Sequence, residues 1–218
     1  MSLGALVFAA AAQVARADPI PYPTSGTPNP VTYTFTAAAT GDVMAYFAGS
    51  GAAYDEQLGM LDNGVLTASG FGLDDHTSSI GQSFDLGHVT AGDTLTFVLD
   101  VISPNLGLVY SDPTLNSAFD LNGSLGHNHV YSTPYTATSP NYPGIPVGTY
   151  VAFEDLQFPL SDFNYFDETY VFTDVAVTSS VPDSASTLIL LGLAVTVLGL
   201  FGRRLFRSPA GALFGAAA

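Results

Sequence analysis

The chain has no cysteine and no tryptophan among its 218 residues, and only four basic side chains, all of them arginine. The lack of cysteine excludes disulfides, thiolate catalysis and cysteine-ligated zinc. The shortage of cations excludes more. Arg16 lies near the start and Arg203, Arg204 and Arg207 near the end, so the stretch from Asp18 to Pro182 has no Lys or Arg while carrying all but one of the 19 acidic residues. Neutralising phosphates or anionic headgroups takes cationic side chains, so nucleic-acid binding, anionic-lipid binding and phosphate chemistry are excluded for this stretch. A carboxylate brought close to another carboxylate there has no Lys or Arg to turn to. It must be solvated, protonated or bridged by a metal ion.

Hydrolase signatures are missing as well. There is no Gly-x-Ser-x-Gly elbow and no His-Glu-x-x-His pair, and a serine triad could be assembled only arbitrarily from many serines and four histidines. The surplus of carboxylates makes any chosen glycosidase pair uninformative. A non-enzymatic protein is expected, with a glycoside-acting enzyme the remotest alternative.

What the chain does have between its ends is β-pattern. Val31 to Thr36 alternates β-branched and aromatic residues, and Asp42 to Phe47 places Val43, Ala45 and Phe47 on one face. Gln57 to Leu61 and Val65 to Thr67 flank Asn63-Gly64, the signature of a type I′ hairpin. Thr94 to Val101 is the clearest strand, with Leu95, Phe97, Leu99 and Val101 facing a core; Ser83 to Leu86 precedes it. Further strands are predicted at Asn128 to Ser132, Gly148 to Phe153 and Glu168 to Thr178, with loops over Ser103 to Gly126 and Thr133 to Pro146. No helical period persists over three turns in this region. Short strands separated by Gly, Pro and Asn predict an all-β fold, an antiparallel β-sandwich or jelly roll over residues 31–180. The five prolines between Asp18 and Pro30 predict an extended lead-in.

Polar residues cluster at three places. Glu154-Asp155 and then Ser161-Asp162-Phe163-Asn164-Tyr165-Phe166-Asp167-Glu168 bring carboxylates and an amide into a short interval. Ca2+ takes six to eight oxygens from such groups, so Glu154, Asp155, Asp162, Asn164 and Asp167 are the candidate metal ligands, against the plainer reading of a solvated acidic loop. The spacing is not that of an EF-hand. Asp74-Asp75-His76 could be a metal or acid/base site but is expected to be an exposed turn. His127 and His129 would lie on one side of a strand, where zinc or copper could bind them, but a structural histidine is the favoured reading.

The two ends address the chain. Leu3 to Ala12 is apolar and Ala15-Arg16-Ala17 fits a small-x-small cleavage site, so residues 1–17 are expected to be a signal peptide. No basic residue precedes the apolar stretch, which points to a start internal to a longer leader. Val181-Pro182-Asp183-Ser184 leads into an uncharged run that, as a helix from Ala185 to Gly202, would extend about 27 Å, enough for a thin bilayer. Arg203, Arg204 and Arg207 follow as a membrane stop on the cytoplasmic side, with residues 208–218 as a tail.

That order of short motif, apolar helix and arginine cluster resembles the PEP-CTERM sorting signals of bacterial surface proteins, in the variant carrying Val181-Pro182-Asp183-Ser184. The resemblance covers about residues 181–207. It implies secretion across the inner membrane, temporary anchoring by the C-terminal helix and processing by an exosortase. It further implies delivery to the cell surface or an exopolysaccharide matrix. More loosely, Asp42 to Phe47, Asn128 to Ser132 and Phe153 to Leu156 resemble phrases in β-sandwich domains of unknown function that precede such tails. The expectation is an exported envelope or matrix protein that binds Ca2+. The alternative is a Ca-dependent carbohydrate-binding module, with Tyr131, Tyr135, Tyr142 or Tyr150 stacking on sugars.

Overall fold

The computed structural model describes residues 20–121, 126–136, 139, 142 and 144–181. The predicted signal peptide, the sorting motif beyond Val181, the C-terminal helix, its arginines and the tail lie outside the described residues. Val181 itself is exposed. Among the described residues no helix is long and apolar enough to cross a membrane.

Among the described residues, eleven strands form two antiparallel sheets. Sheet A contains β1 (Thr32–Ala37), β3 (Asp55–Asp62), β4 (Val65–Leu66), β6 (Thr94–Ser103), β7 (Gly107–Tyr110) and β11 (Val175–Ser180), in the order β11-β1-β6-β3-β4. β3 runs along one edge of β6, from Asp55 opposite Ser103 to Asp62 opposite Leu95. The other edge is shared: β1 pairs at Leu95 and Thr94, and β7 from Val98 to Val101. Sheet B holds β2 (Gly41–Ser50), β5 (Ser83–Val89), β8 (Val130–Tyr135), β9 (Gly148–Phe153) and β10 (Glu168–Phe172), in the order β5-β2-β10-β9-β8.

Inward positions of both sheets make one core. Phe35, Leu58, Met60, Phe97 and Leu99 of sheet A join Val43, Phe47, Val151, Phe153 and Phe172 of sheet B. Phe97 and Phe172 stack across it with ring centroids 3.8 Å apart. The back of sheet B is apolar too: Ala48, Tyr135, Tyr150, Ala152 and Val171 form a second buried cluster with Tyr22 and Tyr165. The proline-rich lead-in lies on that cluster. Tyr22 packs edge-on against Tyr165, and the Asn29 side chain donates to the Val130 carbonyl at 2.9 Å. β10 is therefore buried on both faces, and all five of its residues are inaccessible.

The all-β expectation holds, and the Asn63-Gly64 hairpin forms with both residues at positive φ, 47° and 84°. Three readings need correcting. Thr133 to Pro146 is not all loop, since β8 runs on to Tyr135, with Thr133 opposite Tyr150 and Tyr135 opposite Gly148. Ser103 to Gly126 is not all loop, since it contains β7 and the 3-10 turn Pro113–Ala118, capped by Asp112, whose carboxylate accepts from the Thr114 N–H at 2.9 Å. Glu168 to Thr178 is not one strand. Asp174 adopts φ of 59°, which turns the chain out of sheet B and into β11 of sheet A.

Candidate metal centre

Three segments converge at one end of the sandwich. β9 finishes at Phe153 and continues into Glu154-Asp155; β10 begins at Glu168 after the loop 161–167; β3 begins with Asp55-Glu56. Glu168 pairs with Phe153, so the end of β9 and the start of β10 lie side by side. The loop between them is held from below. Tyr165 is fully buried, accepting from the Asn29 N–H at 2.8 Å and donating to the Asn128 carbonyl at 3.2 Å. Above, the Gly51 N–H donates to the carbonyls of Phe166 and Asp167, at 3.0 and 3.1 Å, which tethers the β2–β3 loop to the site.

The outer part of the centre contains the residues predicted from the sequence. Glu154, Asp155 and Asp167 each bring a carboxylate oxygen to within 4.8 Å of the other two, an arrangement that could hold a metal ion. Asp155, Asp167, Asp162 and Asn164 line one open pocket of about 240 Å³, with Gly51, Ala53, Tyr54 and Leu156 completing its wall. Asp162 and Asn164 shape the rim: the Asn164 N–H and side-chain amide donate to Asp162 at 3.0 and 2.9 Å, and the Phe166 N–H donates to Asn164 Oδ1 at 2.7 Å. The Asp155 N–H donates to Asp167 Oδ2 at 3.0 Å.

Behind it lies a second acidic group, formed by Glu56 from β3, Glu168 from β10 and Asp75 from the segment after Leu73. Their carboxylate oxygens also come within 4.8 Å of one another, and all three side chains are buried. No hydrogen bond of ordinary geometry reaches either oxygen of Glu56, Glu154 or Glu168, or Oδ2 of Asp75. His76 Nε2 stands 3.4 Å from that Asp75 oxygen, on an exposed ring. Asp75 Oδ1 accepts from the Glu56 N–H at 3.1 Å, which fixes the segment against β3.

Burial and mutual repulsion raise the proton affinity of the whole group. Burial first, then the neighbouring Asp155, Glu168 and Asp75, push Glu56 up to about 11. Burial and then Asp162 push Glu154 up to about 7, although the Ser161 hydroxyl and the Tyr165 N–H face it and act the other way. Glu168 and Asp167 rise well above the usual carboxylate range, and Asp75 and Asp155 rise too, in every case through burial first. Asp155 joins the two parts, since its charge bears on Glu56, Glu154, Asp167 and Glu168. Buried carboxylates this close are tolerable only when a proton or a cation lies between them.

No known protein family, curated protein or solved structure matches this chain. The site must therefore be read from its own geometry.

The remaining candidates separate clearly. Asp74 and Asp75 point opposite ways: Asp74 stays in the exposed turn, accepting from the His76 and Thr77 N–H groups, while Asp75 turns inward. His127 and His129 share Asp120 instead of converging on open space. His129 Nε2 lies 2.9 Å and His127 Nδ1 3.2 Å from the Asp120 carboxylate, and His129 Nδ1 lies 3.0 Å from the Glu154 carbonyl. Both His129 nitrogens are thus engaged, leaving neither for a metal. Although burial opposes it, hydrogen bonds from His129 and from the His127 and Phe158 N–H groups hold Asp120 well below the usual carboxylate range. Of the tyrosines suggested as sugar platforms, Tyr150 and Tyr135 are buried in the second core cluster, which removes both; Tyr131 and Tyr142 pack against that cluster partly exposed.

Glu56, Asp75 and Glu168 were absent from the sequence-predicted ligand set. A strand-periodicity signal was present for Glu56 and Glu168, but none for Asp75. Glu56 is in step with the core residues Leu58 and Met60, and Glu168 with Tyr170 and Phe172. An acid at an inward strand position, in a region with no Lys or Arg, marks a buried carboxylate in need of a cation.

Proposed function

We propose that this chain is an exported, non-enzymatic envelope or matrix protein whose acidic, jelly-roll-like β-sandwich binds Ca2+ at Glu154, Asp155, Asp162, Asn164 and Asp167. The observation that carries the cation-binding reading is the buried, hydrogen-bond-poor carboxylate group at one end of the sandwich, in a region without Lys or Arg. An all-oxygen ligand set with Asp, Glu and Asn at an open pocket suits a hard divalent ion, and the count of available oxygens suits calcium better than the smaller magnesium. The tail supplies the address: its likeness to PEP-CTERM signals supports export, anchoring and exosortase processing near Val181-Pro182-Asp183-Ser184, with Arg203, Arg204 and Arg207 as the stop and exopolysaccharide as a neighbour.

The test is calcium titration of the full chain, purified in detergent and stripped of metal. Saturating Ca2+ at a hundred times Kd should stabilise the fold by about 2.7 kcal/mol and raise its melting temperature accordingly. Asp162→Asn combined with Asn164→Ala should weaken binding about tenfold, or roughly 1.4 kcal/mol. A chain with neither a heat of binding nor a shift in melting would end the calcium reading. Recovery of the chain in the cytosol on cell fractionation would end the export reading.

One observation favours a second reading. Tyr54 lines the same pocket as Asp155, Asp162, Asn164 and Asp167, so a sugar could present hydroxyls to a bound Ca2+ and a face to the ring. A glycan array with and without EDTA decides this, and absence of calcium-dependent retention would dismiss it.

A further inference from the structure

We propose that Glu56, Asp75 and Glu168 hold a second divalent cation, enclosed between the two sheets and separate from the one in the outer pocket. The inference deepens the calcium reading and rests on it only for the identity of the ion.

Glu56 and Glu168 are 0% exposed and Asp75 is 6% exposed, so bulk solvent does not reach these carboxylates. Five oxygens in the group lack a hydrogen bond of ordinary geometry, namely both of Glu56, both of Glu168 and Oδ2 of Asp75, although the Asp155 carboxyl adjoins Glu56 and the Tyr170 hydroxyl adjoins Glu168. Three carboxylates within 4.8 Å of one another repel strongly at low dielectric, and the stretch they belong to has no Lys or Arg to offset them. Histidine does not fill the gap either. His76 Nε2 reaches the group only at Asp75 Oδ2, 3.4 Å away and from an exposed ring, His88 is 2.8 Å from Asp42 on the surface, and His127 and His129 are committed to Asp120.

The group faces a wall that is otherwise apolar or hydroxylic. Tyr170 is fully buried beside it and donates its hydroxyl to the Leu73 carbonyl at 3.3 Å. The other carboxylates near the group are Asp155, adjoining Glu56 and Glu168, Asp167, adjoining Glu168, and Asp55 and Asp74, adjoining Asp75. An ion here would receive two glutamates and an aspartate, all hard oxygen donors that suit Ca2+. It would also receive them from three different parts of the fold. Glu56 belongs to sheet A, Glu168 to sheet B, and Asp75 to the connection between β4 and β5. The ion is thereby a clamp between the layers, whereas the outer ion joins segments that already belong to the end of sheet B.

Enclosure sets the kinetics. The outer ion opens onto a pocket, while the inner one can leave only if the end of the sandwich opens. Native mass spectrometry of the full chain should count two Ca2+ ions, and release into a chelator should be biphasic, the slow phase at least about tenfold slower. Glu168→Gln, which keeps the shape and removes one charge, should abolish the slow phase and leave one ion. Asp162→Asn with Asn164→Ala should act on the fast phase alone.

Wild-type protein that binds a single ion, lost in the outer double variant and kept in Glu168→Gln, overturns the inner site and leaves the proposed function intact. No bound ion at all overturns both. A single ion kept in the outer variant and lost in Glu168→Gln upholds the enclosed site and overturns the outer one. Should Glu168→Gln not fold, Glu56→Gln takes its place, and a wild-type count of one with single-phase fast release overturns the enclosed site without any variant.

Discussion

Glu154 shows at the level of one side chain what the absence of basic residues does. It is 1% exposed, its oxygens lack hydrogen bonds of ordinary geometry, and burial followed by the charge of Asp162 moves it from 4.5 to about 7. A carboxyl whose affinity for protons is greater in the folded state stabilises the fold fully at pH below its ordinary value. That contribution is lost as pH rises through the folded value. For Glu154 the window runs from 4.5 to about 7, and the shift corresponds to a few kcal/mol at about 1.4 kcal/mol per unit. Glu56, Asp75, Asp155, Asp167 and Glu168 shift in the same direction. Asp120 shifts oppositely, so its contribution is present at neutral pH and lost only on strong acidification. In EDTA the melting temperature should therefore fall as pH is raised from about 5 to about 8. In saturating Ca2+ the metal takes the place of the protons and the slope should flatten or reverse. Equal slopes with and without calcium, measured by differential scanning calorimetry, would contradict a shared proton and metal site.

Among the elements, the ones read most easily from sequence were those whose local chemistry and burial agree. Thr94 to Val101 alternates cleanly and forms the centre of sheet A, and Asn63-Gly64 supplies the positive φ that its hairpin requires. β7 escaped notice because four residues, Gly107–Tyr110, are too few for alternation to stand out from a Pro- and Asn-rich loop. The break between β10 and β11 escaped because an aspartate, Asp174, takes the left-handed conformation usually marked by glycine. Of the site, the ligands on the loop 161–167 were legible because acids and an amide crowd together in sequence. Glu56 and Asp75 were not, because only the facing of sheet A onto sheet B and the inward turn after Leu73 bring them to Glu168. Gly51 tests how closely the β2–β3 loop supports the pocket. A Cβ there would lie 2.5 Å from the Phe166 ring, and the Gly51 N–H holds the carbonyls of Phe166 and Asp167. Gly51→Ala should destabilise the fold by about 1–3 kcal/mol through overcrowding. It should also weaken calcium binding, because Asp167 moves with Phe166. Isothermal titration showing native affinity in this variant would mean that the loop does not position Asp167.

For the whole molecule, the formal net charge of −15 at pH 7 raises a competing explanation for any effect of calcium. Surface carboxylates such as Asp42, with its side chain 59% exposed, repel one another through solvent, and any salt will weaken that repulsion. The buried group at the end of the sandwich responds differently, because Glu56 and Glu168 are sealed from the ionic atmosphere and a monovalent salt cannot screen charges it cannot approach. The two contributions separate in a pair of melting series at matched ionic strength. Sodium chloride added to the EDTA-treated chain should raise the melting temperature gradually, with no saturation, as exposed repulsion is screened. Calcium chloride should add a saturable increment that sodium does not reproduce, and that increment should persist in high sodium chloride. Magnesium at the same ionic strength should give a smaller one, since its octahedral preference fits poorly with paired glutamates fixed on opposing sheets. If sodium at matched ionic strength reproduced the whole calcium effect, screening of the acidic surface would explain it, and neither the outer pocket nor the buried group would need a bound ion.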